Sequence, residues 1–571
     1  MIDADDQGFY EKIGVPPPTF CPRCRKQRRL AWRNDMSLYS RKCDLCGKKI
    51  ISVFSPDKQK VVYCQRCWWS DKWEPKSYAQ EYNSDKPFFV QFAELQQKVP
   101  ALALVNDDGI ASVNCEYTQD FAFGKNCYMV FIAWKIEDSL YTMYVVKGKD
   151  LIDCLHISDN SERMYEAVYV KQCYNSKFAY DGVAVVDSAF CHGCHDVSNC
   201  FMCYGLRHKQ HCFKNEQYTK AEYEKILAGY RLDTWNGQER ARKEFEEFRL
   251  KFPRKFSNLY NSTNCTGDYI DHCKNVRDSF NIQKGEDCRY CEGDDKPKDS
   301  YDLSIGGELT QCYEGITPDH SNRSFFSIFS WKNNDVAYVD SCHSCANVFG
   351  CVGLKKSEYC ILNKPYPKEE YEALRAKIIA EMNAKSYTDK QGIAYPFGEF
   401  FPAELSYFSY NESVAQDFSP LTQVEAEKRG YKWQAELQFT KGKETMKPEQ
   451  IPDAIGDVPD SILNEILACT DCGRNYRIVQ QELKFYRRQN IPIPRRCFYC
   501  RHKYRLTVKN PSLLVHRRCE CAGEMSGKGG YKNTAKHVHG SAPCANEFKT
   551  SYLPTRPEII YCEKCYLSEF A

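Results

Sequence analysis

The distribution of its 33 cysteines constrains this chain of 571 residues more than any other feature of the sequence. Six cysteines lie at 21–67, eighteen at 115–360 and nine at 469–565. No stretch approaches the ~18 uninterrupted apolar residues of a membrane span, and the acidic N-terminus is unlike a secretory signal. We therefore expect a cytoplasmic protein of roughly three or four domains, whose reduced thiols bind metal rather than form disulfides.

The two terminal cysteine groups belong to two copies of one module. When the sequence is shifted by 476 residues, the C-terminal group coincides with the N-terminal group as far as Cys519 on Cys43. The C-terminal copy then holds 22 extra residues before the match resumes. So many coincidences at one offset indicate a duplication. The other matched cysteines are Cys497 with Cys21, Cys500 with Cys24, Cys544 with Cys46, Cys562 with Cys64, and Cys565 with Cys67.

Paired CxxC motifs in each copy have the spacing of a zinc ribbon, in which two turns bring four thiolates to Zn²⁺ at about 2.3 Å. The segment between Cys46 and Cys64 predicts a strand, a Ser-Pro-Asp turn and a second strand. We expect three zinc sites. Their predicted ligands are Cys43, Cys46, Cys64 and Cys67; Cys469, Cys472, Cys497 and Cys500; and Cys544, Cys562 and Cys565 with one further cysteine.

The fourth ligand of the last site is left open by the spacing. Cys519 matches Cys43 by position, whereas Cys521 lies within the inserted residues. His537 and His539 also lie in the insertion and are weaker candidates, because a polar loop explains two histidines at least as well as metal binding does.

Cys21 and Cys24 lack a second pair in the first copy. The positions that match Cys469 and Cys472 would lie before Met1. We expect that the true N-terminus lies upstream or that the chain is truncated, with genuine loss of the knuckle as the alternative. A fourth zinc site at Cys21 and Cys24 would need that missing knuckle or borrowed ligands.

The middle of the chain is a twelve-residue repeat that is itself duplicated. Cys288 and Cys312, for example, stand at the same phase of the repeat two units apart. Short β-prone units at a fixed period are typical of a parallel β-solenoid, and two units would make a coil of about 24 residues. The two halves superpose at an offset of 148 residues, with Cys203 on Cys351.

Small residues that recur at one phase of the repeat indicate a crowded interior, so we interpret most cysteines of the middle as packing residues. Each half is followed by a predicted helix, which begins at Thr219 in the first half and at Pro367 in the second. An alternative for one group is a zinc knuckle made of Cys191, Cys194, Cys200 and Cys203.

The sequence thus predicts a mostly β protein. Parallel β-solenoid-like repeats form its middle, in two duplicated halves that are each followed by a helix, and duplicated zinc-ribbon modules flank them. The predicted ranges are an N-terminal module at 1–76, a linker or helix at 77–109, solenoid halves at 110–212 and 257–360, a helical segment at 213–256, a capping helix at 361–384, an aromatic and proline-rich connector at 385–464, and a C-terminal module at 465–571.

Several long strings carry a resemblance to a known family. They are FCPRCRKQRRLAWRNDMSLYSRKCD, IISVFSPDK, YCQRCWWSDKW, IPIPRRC and EIIYCEKCY. The chain resembles, over nearly its whole length, a family of large zinc-ribbon proteins with Cys-rich repeats from uncultivated small-genome bacteria of the candidate phyla. The resemblance implies zinc binding and a complete knuckle before the first CPxCR, and it implies no activity.

The charges of the chain are divided unevenly. Residues 20–76 carry 15 Lys or Arg and five acidic residues, residues 474–518 carry 13 and one, and the remainder is acidic. The first functional hypothesis is therefore binding of RNA or DNA, with basic side chains on phosphates and aromatic rings on bases. The predicted contacts are Arg23, Arg25, Lys26, Arg28, Arg29, Trp32, Arg33, Arg495, Arg496, Arg501, Lys503 and Arg505.

Two other classes of function are compatible with this sequence. In the first, the basic residues only balance the charge of the acidic middle. The protein would then be a scaffold whose solenoid contacts a protein partner while zinc stabilises the ends. By fold analogy alone, it would in the other case be a β-helix carbohydrate-active enzyme. We expect no catalysis, because nucleophile-elbow, phosphate-loop and HExxH motifs are missing and a four-thiolate zinc site is closed to water.

Overall fold

A computed structural model describes residues 2–107, 109–524, 527–528 and 531–570. Strands make up 33% of the chain and helices 24%, so the prediction of a mostly β protein is confirmed. Two large sheets rich in parallel pairs occupy the middle, and clusters of cysteines lie at both ends. None of the helices in these ranges is long and apolar enough to cross a membrane.

The helices lie in the terminal modules, in the predicted linker or helix at 77–109, after each large sheet, and in the connector. Within the described ranges they are α1 (Ala4–Ile13), α2 (Pro22–Leu30), α3 (Gln65–Trp68), α4 (Phe88–Lys98), α5 (Lys220–Tyr230), α6 (Trp235–Arg249), α7 (Lys368–Ala384), α8 (Ala415–Phe418), α9 (Gln423–Lys428), α10 (Gln480–Gln489), α11 (Phe498–Val508) and α12 (Glu563–Phe570). Helices α5 and α7 follow the sheets with Thr219 and Pro367 as their N-terminal caps, as the sequence predicted.

The N-terminal module, residues 1–76, contains a small antiparallel sheet. The strands in and just after it are β1 (Tyr39–Lys42), β2 (Lys49–Ser52), β3 (Val62–Tyr63) and β4 (Ala101–Leu102). Strand β2 pairs with β1, whereas β3 pairs in parallel with β4. The predicted strand, Ser-Pro-Asp turn and second strand between Cys46 and Cys64 are confirmed as β2, a turn at Pro56 and Asp57, and β3, although β2 and β3 each pair with a different strand. The first CxxC turn itself joins β1 to β2, because the Cys43 amide donates to the Lys48 carbonyl at 2.8 Å.

The first large sheet, here called the first ladder, has 14 strands. They are β5 (Val113–Glu116), β6 (Gln119–Ala122), β7 (Lys125–Tyr128), β8 (Phe131–Glu137), β9 (Met143–Ile152), β10 (Leu155–Ser158), β11 (Ser161–Tyr165), β12 (Val168–Lys171), β13 (Lys177–Tyr180), β14 (Val183–Val186), β15 (Ala189–His192), β16 (His195–Tyr204), β17 (Gln210–Phe213) and β18 (Glu216–Gln217). Their pairs are parallel, except that β18 turns back against β17 just before helix α5.

The second ladder has 12 strands and ends in the same way, with an antiparallel pair just before α7. After the short strand β19 (Arg254–Lys255), its members are β20 (Leu259–Tyr260), β21 (Gly267–Asp271), β22 (Lys274–Arg277), β23 (Ser279–Gln283), β24 (Glu286–Arg289), β25 (Glu292–Thr310), β26 (Tyr313–Ile316), β27 (Asn322–Ile328), β28 (Asn334–Asp340), β29 (Ala346–Phe349), β30 (Glu358–Ile361) and β31 (Lys364–Pro365).

The register of both ladders advances by twelve residues. Cys115 lies opposite Cys127 in the first ladder, and Tyr301 lies opposite Tyr313 in the second. The expectation of a 24-residue coil is therefore wrong, because one twelve-residue unit pairs directly with the next. The unit is shorter than expected because about every third residue has a positive φ. The chain therefore bends often enough for twelve residues, rather than 24, to bring it back to the neighbouring strand.

One extra residue interrupts this register in the first ladder. Asp159 and Asn160 are consecutive left-handed residues, and the pairing steps by thirteen across them, from Leu155 to Val168. Positions before the step therefore correspond to the second ladder at an offset of 149 residues, and positions after it at 148.

A buried side chain recurs at every third position of the ladders, as in Cys127, Val130, Ala133 and Ile136. The cysteines of the middle occupy such positions. The thiol of Cys312, for example, donates to backbone carbonyls, as buried polar groups require. The alternative zinc knuckle of Cys191, Cys194, Cys200 and Cys203 is not among the metal-type clusters of the described residues.

The C-terminal module, residues 465–571, repeats the N-terminal module in three dimensions. The strands after the second ladder are β32 (Tyr387–Thr388), β33 (Ala394–Tyr395), β34 (Leu467–Ala468), β35 (Asn475–Tyr476), β36 (Val515–Arg518), β37 (Gly527–Lys528), β38 (Tyr531–Lys532), β39 (Glu547–Thr550) and β40 (Ile560–Tyr561). Helices α10 and α11 correspond to α1 and α2, and the antiparallel pair β36–β39 corresponds to β1–β2 in the same register.

Each module packs against the ladder of the other half of the chain. Tyr10 of α1 meets Tyr313 of the second ladder edge-on, with ring centroids 5.5 Å apart. Tyr486 of α10 meets Tyr165 of the first ladder in the same way, at 5.9 Å. Both duplications are therefore preserved in the packing: helices α1 and α2 of the N-terminal module lie on the second ladder, and helices α10 and α11 of the C-terminal module lie on the first.

Candidate metal centres and the surfaces around them

The first cysteine cluster joins two turns of the N-terminal module. Gly47, with φ of 73°, closes the first turn by donating its amide to the Cys43 carbonyl at 2.9 Å. The second turn places Cys64 at the N-cap of α3, and its amide donates to the Cys43 sulfur at 3.3 Å. The ligand atoms of Cys43, Cys46, Cys64 and Cys67 all lie within 4.8 Å of one another.

The second cluster repeats this arrangement at the start of the C-terminal module. Gly473, with φ of 71°, closes the first turn on the Cys469 carbonyl. Cys497 is the N-cap of α11, and its amide donates to the Cys469 sulfur at 3.2 Å. The four ligand atoms that lie within 4.8 Å of one another belong to Cys469, Cys472, Cys497 and Cys500.

The third cluster contains Cys519, the cysteine that matches Cys43 by position. The Cys562 amide donates to the Cys519 sulfur at 3.1 Å, as in the two other clusters. Cys521 lies in a different group, which also holds His537 and His539. The third cluster itself consists of Cys519, Cys544, Cys562 and Cys565.

The spacing of the sulfur atoms fits a tetrahedral metal ion. Four thiolates at about 2.3 Å from Zn²⁺ are about 3.8 Å apart. The Sγ–Sγ distance is 4.0 Å for Cys46 and Cys64, and 3.7 Å for Cys472 and Cys497. The clusters at both ends could thus hold metal ions, which is consistent with zinc.

One thiol in each cluster has a lowered pKa, and the thiolate is the form that binds metal. The Cys497 thiol lowers the pKa of Cys469 to about 4, and the Cys519 thiol lowers the pKa of Cys562 to about 4. Burial opposes ionisation of Cys43, but the backbone amides of the surrounding turns lower its pKa to about 7.

Cys21 and Cys24 form a pair that lacks the rest of a site. Both are exposed, and their sulfur atoms are 3.2 Å apart. Among the described residues, no group of three or more metal-type side chains includes either of them. The borrowed ligands that a fourth site at Cys21 and Cys24 would need are therefore not found among the described residues.

Most of the arginines predicted to bind nucleic acid in α2 are buried in ion pairs. Arg25 and Arg29 are 2% and 0% exposed, and both bind Asp302 of the second ladder, at 2.7 and 3.1 Å. Arg28 and Arg29 also bind the buried Glu314, at 3.0 and 2.8 Å. Three arginines and their carboxylates therefore fasten α2 to the second ladder.

The C-terminal module has the matching contact on α11. Arg501 and Arg505, which correspond to Arg25 and Arg29, bind Asp153 of the first ladder at 3.0 and 2.8 Å. Asp153 corresponds to Asp302 at the offset of 149 residues. The same ion-pair cluster thus forms twice. Both carboxylates are buried, so loss of either partner would leave an uncompensated charge in the interior.

The predicted contact with nucleic acid is not available to the buried residues in this structure, because solvent and ligands do not reach them. They are Arg25, Arg28, Arg29, Trp32, Arg33, Arg501 and Arg505. Lys26 pairs with Glu292, and the half-buried Arg495 and Arg496 pair with Asp453 and Glu239. Of the predicted contacts, Arg23 and Lys503 are exposed.

A cleft of about 1080 Å³ opens where both modules, the connector and the first ladder meet. Its lining is rich in aromatic rings, including Tyr128, Phe439 and Tyr499. The Arg474 guanidinium lies 4.1 Å from the ring centroid of Phe439 and 5.0 Å from that of Tyr499. This cleft leaves no signal in the sequence, because its walls come from four distant segments.

No protein-family model matches the sequence, and none of the curated proteins is similar to it. Among solved structures, a crystal structure described as an acetyltransferase from Desulfovibrio desulfuricans G20 aligns with 45% of this chain and 69% of its own chain. The two are 11% identical, and the TM-score is 0.10. A TM-score this low means that the folds do not superpose, so the likeness carries no argument.

Proposed function

We propose that this protein is a zinc-stabilised interaction scaffold, in which two zinc-ribbon modules clamp a pair of β-solenoids. The observation that carries this proposal is the use of the basic residues. The arginines that could otherwise bind an external phosphate form ion pairs with the buried carboxylates of Asp302, Glu314 and Asp153. Their role is to hold the modules on the ladders.

The parallel register supports the solenoid part of this proposal. Four residues with positive φ in each twelve-residue unit would bend the chain into a closed coil, which then stacks on the next coil. Helices α5 and α7 follow the last strands and would cover the exposed strand edges. Such a stack leaves its outer faces for a protein partner.

Zinc is the metal that the donor sets favour. Four thiolates in a tetrahedral set are typical of structural zinc, and a small ribbon obtains much of its folding free energy from the metal. A reducing, cytoplasmic location would keep these thiols available. The resemblance to the zinc-ribbon family of candidate-phyla bacteria agrees with this assignment.

Binding of single-stranded nucleic acid is the second candidate, and the cleft is the observation that favours it. Arg474 and the exposed Arg477 stand there beside aromatic rings, and this combination serves both backbone contacts and base stacking. The contact would then be a site at the junction of the modules rather than the surfaces of α2 and α11.

Salt dependence separates the two candidates. The zinc-loaded full-length chain would be titrated with mixed-sequence RNA and DNA strands at ~50 and ~200 mM salt, with Arg474→Ala as a comparison. The scaffold proposal expects no binding that weakens steeply between these concentrations. Binding that falls by orders of magnitude with salt, and that Arg474→Ala weakens, would overturn the scaffold proposal in favour of the cleft.

A further inference from the structure

A second metal-type cluster lies beside the third cysteine cluster. Cys521, His537 and His539 come from the residues that the C-terminal module has and the N-terminal module lacks. Their ligand atoms and the sulfur of Cys565 all lie within 4.8 Å of one another. Cys565 is also a member of the third cluster, so two groups of donors share one sulfur.

Both histidines are oriented as metal ligands. The Nε2 of His537 is 2.8 Å from a carboxylate oxygen of Glu569, and the Nδ1 of His539 is 2.6 Å from the Ala542 carbonyl. Both oxygen atoms only accept hydrogen bonds, so these two nitrogens carry the protons of the neutral rings. The opposite nitrogens then present lone pairs to the cluster.

These lone pairs lie at the distances that a shared metal ion would require. The Nδ1 of His537 is 3.5 Å from the Cys521 sulfur, and the Nε2 of His539 is 3.2 Å from the Cys565 sulfur. With Zn–N of about 2.0 Å and Zn–S of about 2.3 Å, a tetrahedral ion separates nitrogen from sulfur by about 3.5 Å. The donor set is therefore of the right size for zinc.

The surroundings hold the ligands in place. Glu569 accepts hydrogen bonds from the backbone amides of Thr534 and Ala535, so the carboxylate that orients His537 is itself fixed. The side-chain amide of Asn533 donates to the Cys521 sulfur at 3.3 Å. Supporting contacts of this kind accompany metal ligands in general, because they fix the tautomer and the ring orientation.

We propose that the C-terminal module holds a binuclear zinc centre in which the Cys565 thiolate bridges the two ions. One ion is bound by Cys519, Cys544, Cys562 and Cys565, and the other by Cys521, His537, His539 and Cys565. Five thiolates and two neutral imidazoles around two Zn²⁺ leave one net negative charge, where a single four-thiolate site leaves two. The proposal rests on the zinc binding proposed above and adds a fourth ion.

The N-terminal module supplies the matched variant. Leu45 follows Cys43 by two residues, as Cys521 follows Cys519, and the N-terminal module forms its four-cysteine cluster without the inserted residues. Cys521→Leu therefore imitates an arrangement that this chain already folds. His539→Ala removes a ligand of the second ion without altering the four cysteines of the first.

Metal content of the purified full-length chain is the first test. Native mass spectrometry should find four zinc ions in the natural chain and three in Cys521→Leu and His539→Ala, one for each cluster that remains. Three ions in both the natural chain and the variants would overturn the binuclear centre and leave the proposed scaffold intact. One ion or none in the natural chain would overturn the scaffold proposal as well.

Cobalt substitution tests the bridge itself. Two Co²⁺ ions joined by one thiolate are magnetically coupled, so the cobalt-loaded natural chain should show less electron paramagnetic resonance intensity per ion than Cys521→Leu. Equal intensity per ion would contradict a shared Cys565. The thiolate-to-cobalt absorption of the three remaining clusters in the variant reports whether its modules are still folded, which keeps the comparison valid.

Discussion

Replacement of Asp302 by asparagine tests how the N-terminal module is held. The carboxylate is fully buried and binds Arg25 and Arg29 at 2.7 and 3.1 Å, while both guanidinium groups are also buried. Asparagine keeps the shape but removes the charge, so two buried cations share fewer carboxylates. Removing one partner of a buried ion pair costs about 3–5 kcal/mol. Although Asp302 has two arginine partners, Glu314 still compensates Arg29 in part, so we expect the free energy of unfolding to fall by an amount within that range.

Hydrogen exchange measures this loss locally, which matters because a chain with several domains does not unfold in one step. In Asp302→Asn, amides of α2 should lose about 3–5 kcal/mol of protection while those of α11 keep theirs. The equivalent variant Asp153→Asn should have the opposite pattern, because Asp153 binds Arg501 and Arg505 of α11. The pair of variants therefore reports which module lies on which ladder.

Asp299→Asn is the control, because it is the same substitution in the same ladder at a partly exposed pair. Asp299 binds Lys12, whose side chain is 47% exposed, so the loss should be no more than about 1 kcal/mol. Equal effects of Asp299→Asn and Asp302→Asn on α2 would refute the reasoning. Loss of protection in α11 rather than α2 on changing Asp302 would refute the assignment of modules to ladders.

Three further predictions concern single residues. Burial lowers the pKa of Lys60 to about 7, so above that pH the unfolded chain binds a proton that the folded chain lacks. The free energy of unfolding should therefore rise by up to about 1.4 kcal/mol per pH unit between pH 7 and 10. In denaturant titrations at several pH values, Lys60→Met should lack this part of the slope. Gly47→Ala forces a side chain into a left-handed turn, which should cost about 1 kcal/mol and weaken zinc binding at the first cluster about fivefold in chelator competition. Cys312→Ser should leave the metal content unchanged and change stability by less than about 1.5 kcal/mol, since Ser300 stands one unit earlier at the same phase; loss of a metal ion would show that Cys312 is a ligand.

The cysteine clusters could be predicted from the sequence because their geometry is local. Two residues separate the cysteines of every turn except the pair Cys519 and Cys544, and the turn glycines Gly47 and Gly473 follow directly, so most of the first two sites is set within a few residues. The group around His537 and His539 was less visible, because its members are scattered over the inserted residues and share Cys565 with another cluster. Their orienting partners, Glu569 and the Ala542 carbonyl, leave no pattern in the sequence.

The role of the arginines and the length of the coil could not be predicted from the sequence. Guanidinium groups bind carboxylates and phosphates with the same geometry, and Asp302 lies 277 residues from Arg25 in the chain. The spacing of three between Cys127, Val130 and Ala133 matches neither the period of a strand nor that of a helix. It follows instead from left-handed residues, which sequence patterns seldom reveal for residues other than glycine.

The claim that metal holds the modules together, while the ladders are stable without it, is tested most directly by hydrogen exchange of the full-length chain with and without a strong chelator. We predict that residues 39–68, 467–505, 515–524 and 531–562 lose protection when zinc is removed. Helix α2, whose attachment depends on the ion pairs of Arg25 and Arg29, should lose less than α11, whose N-terminal cap is the cluster residue Cys497. Strands β7–β17 and β21–β30 should keep their protection. Loss of protection throughout the ladders, or no change in the modules, would contradict the account.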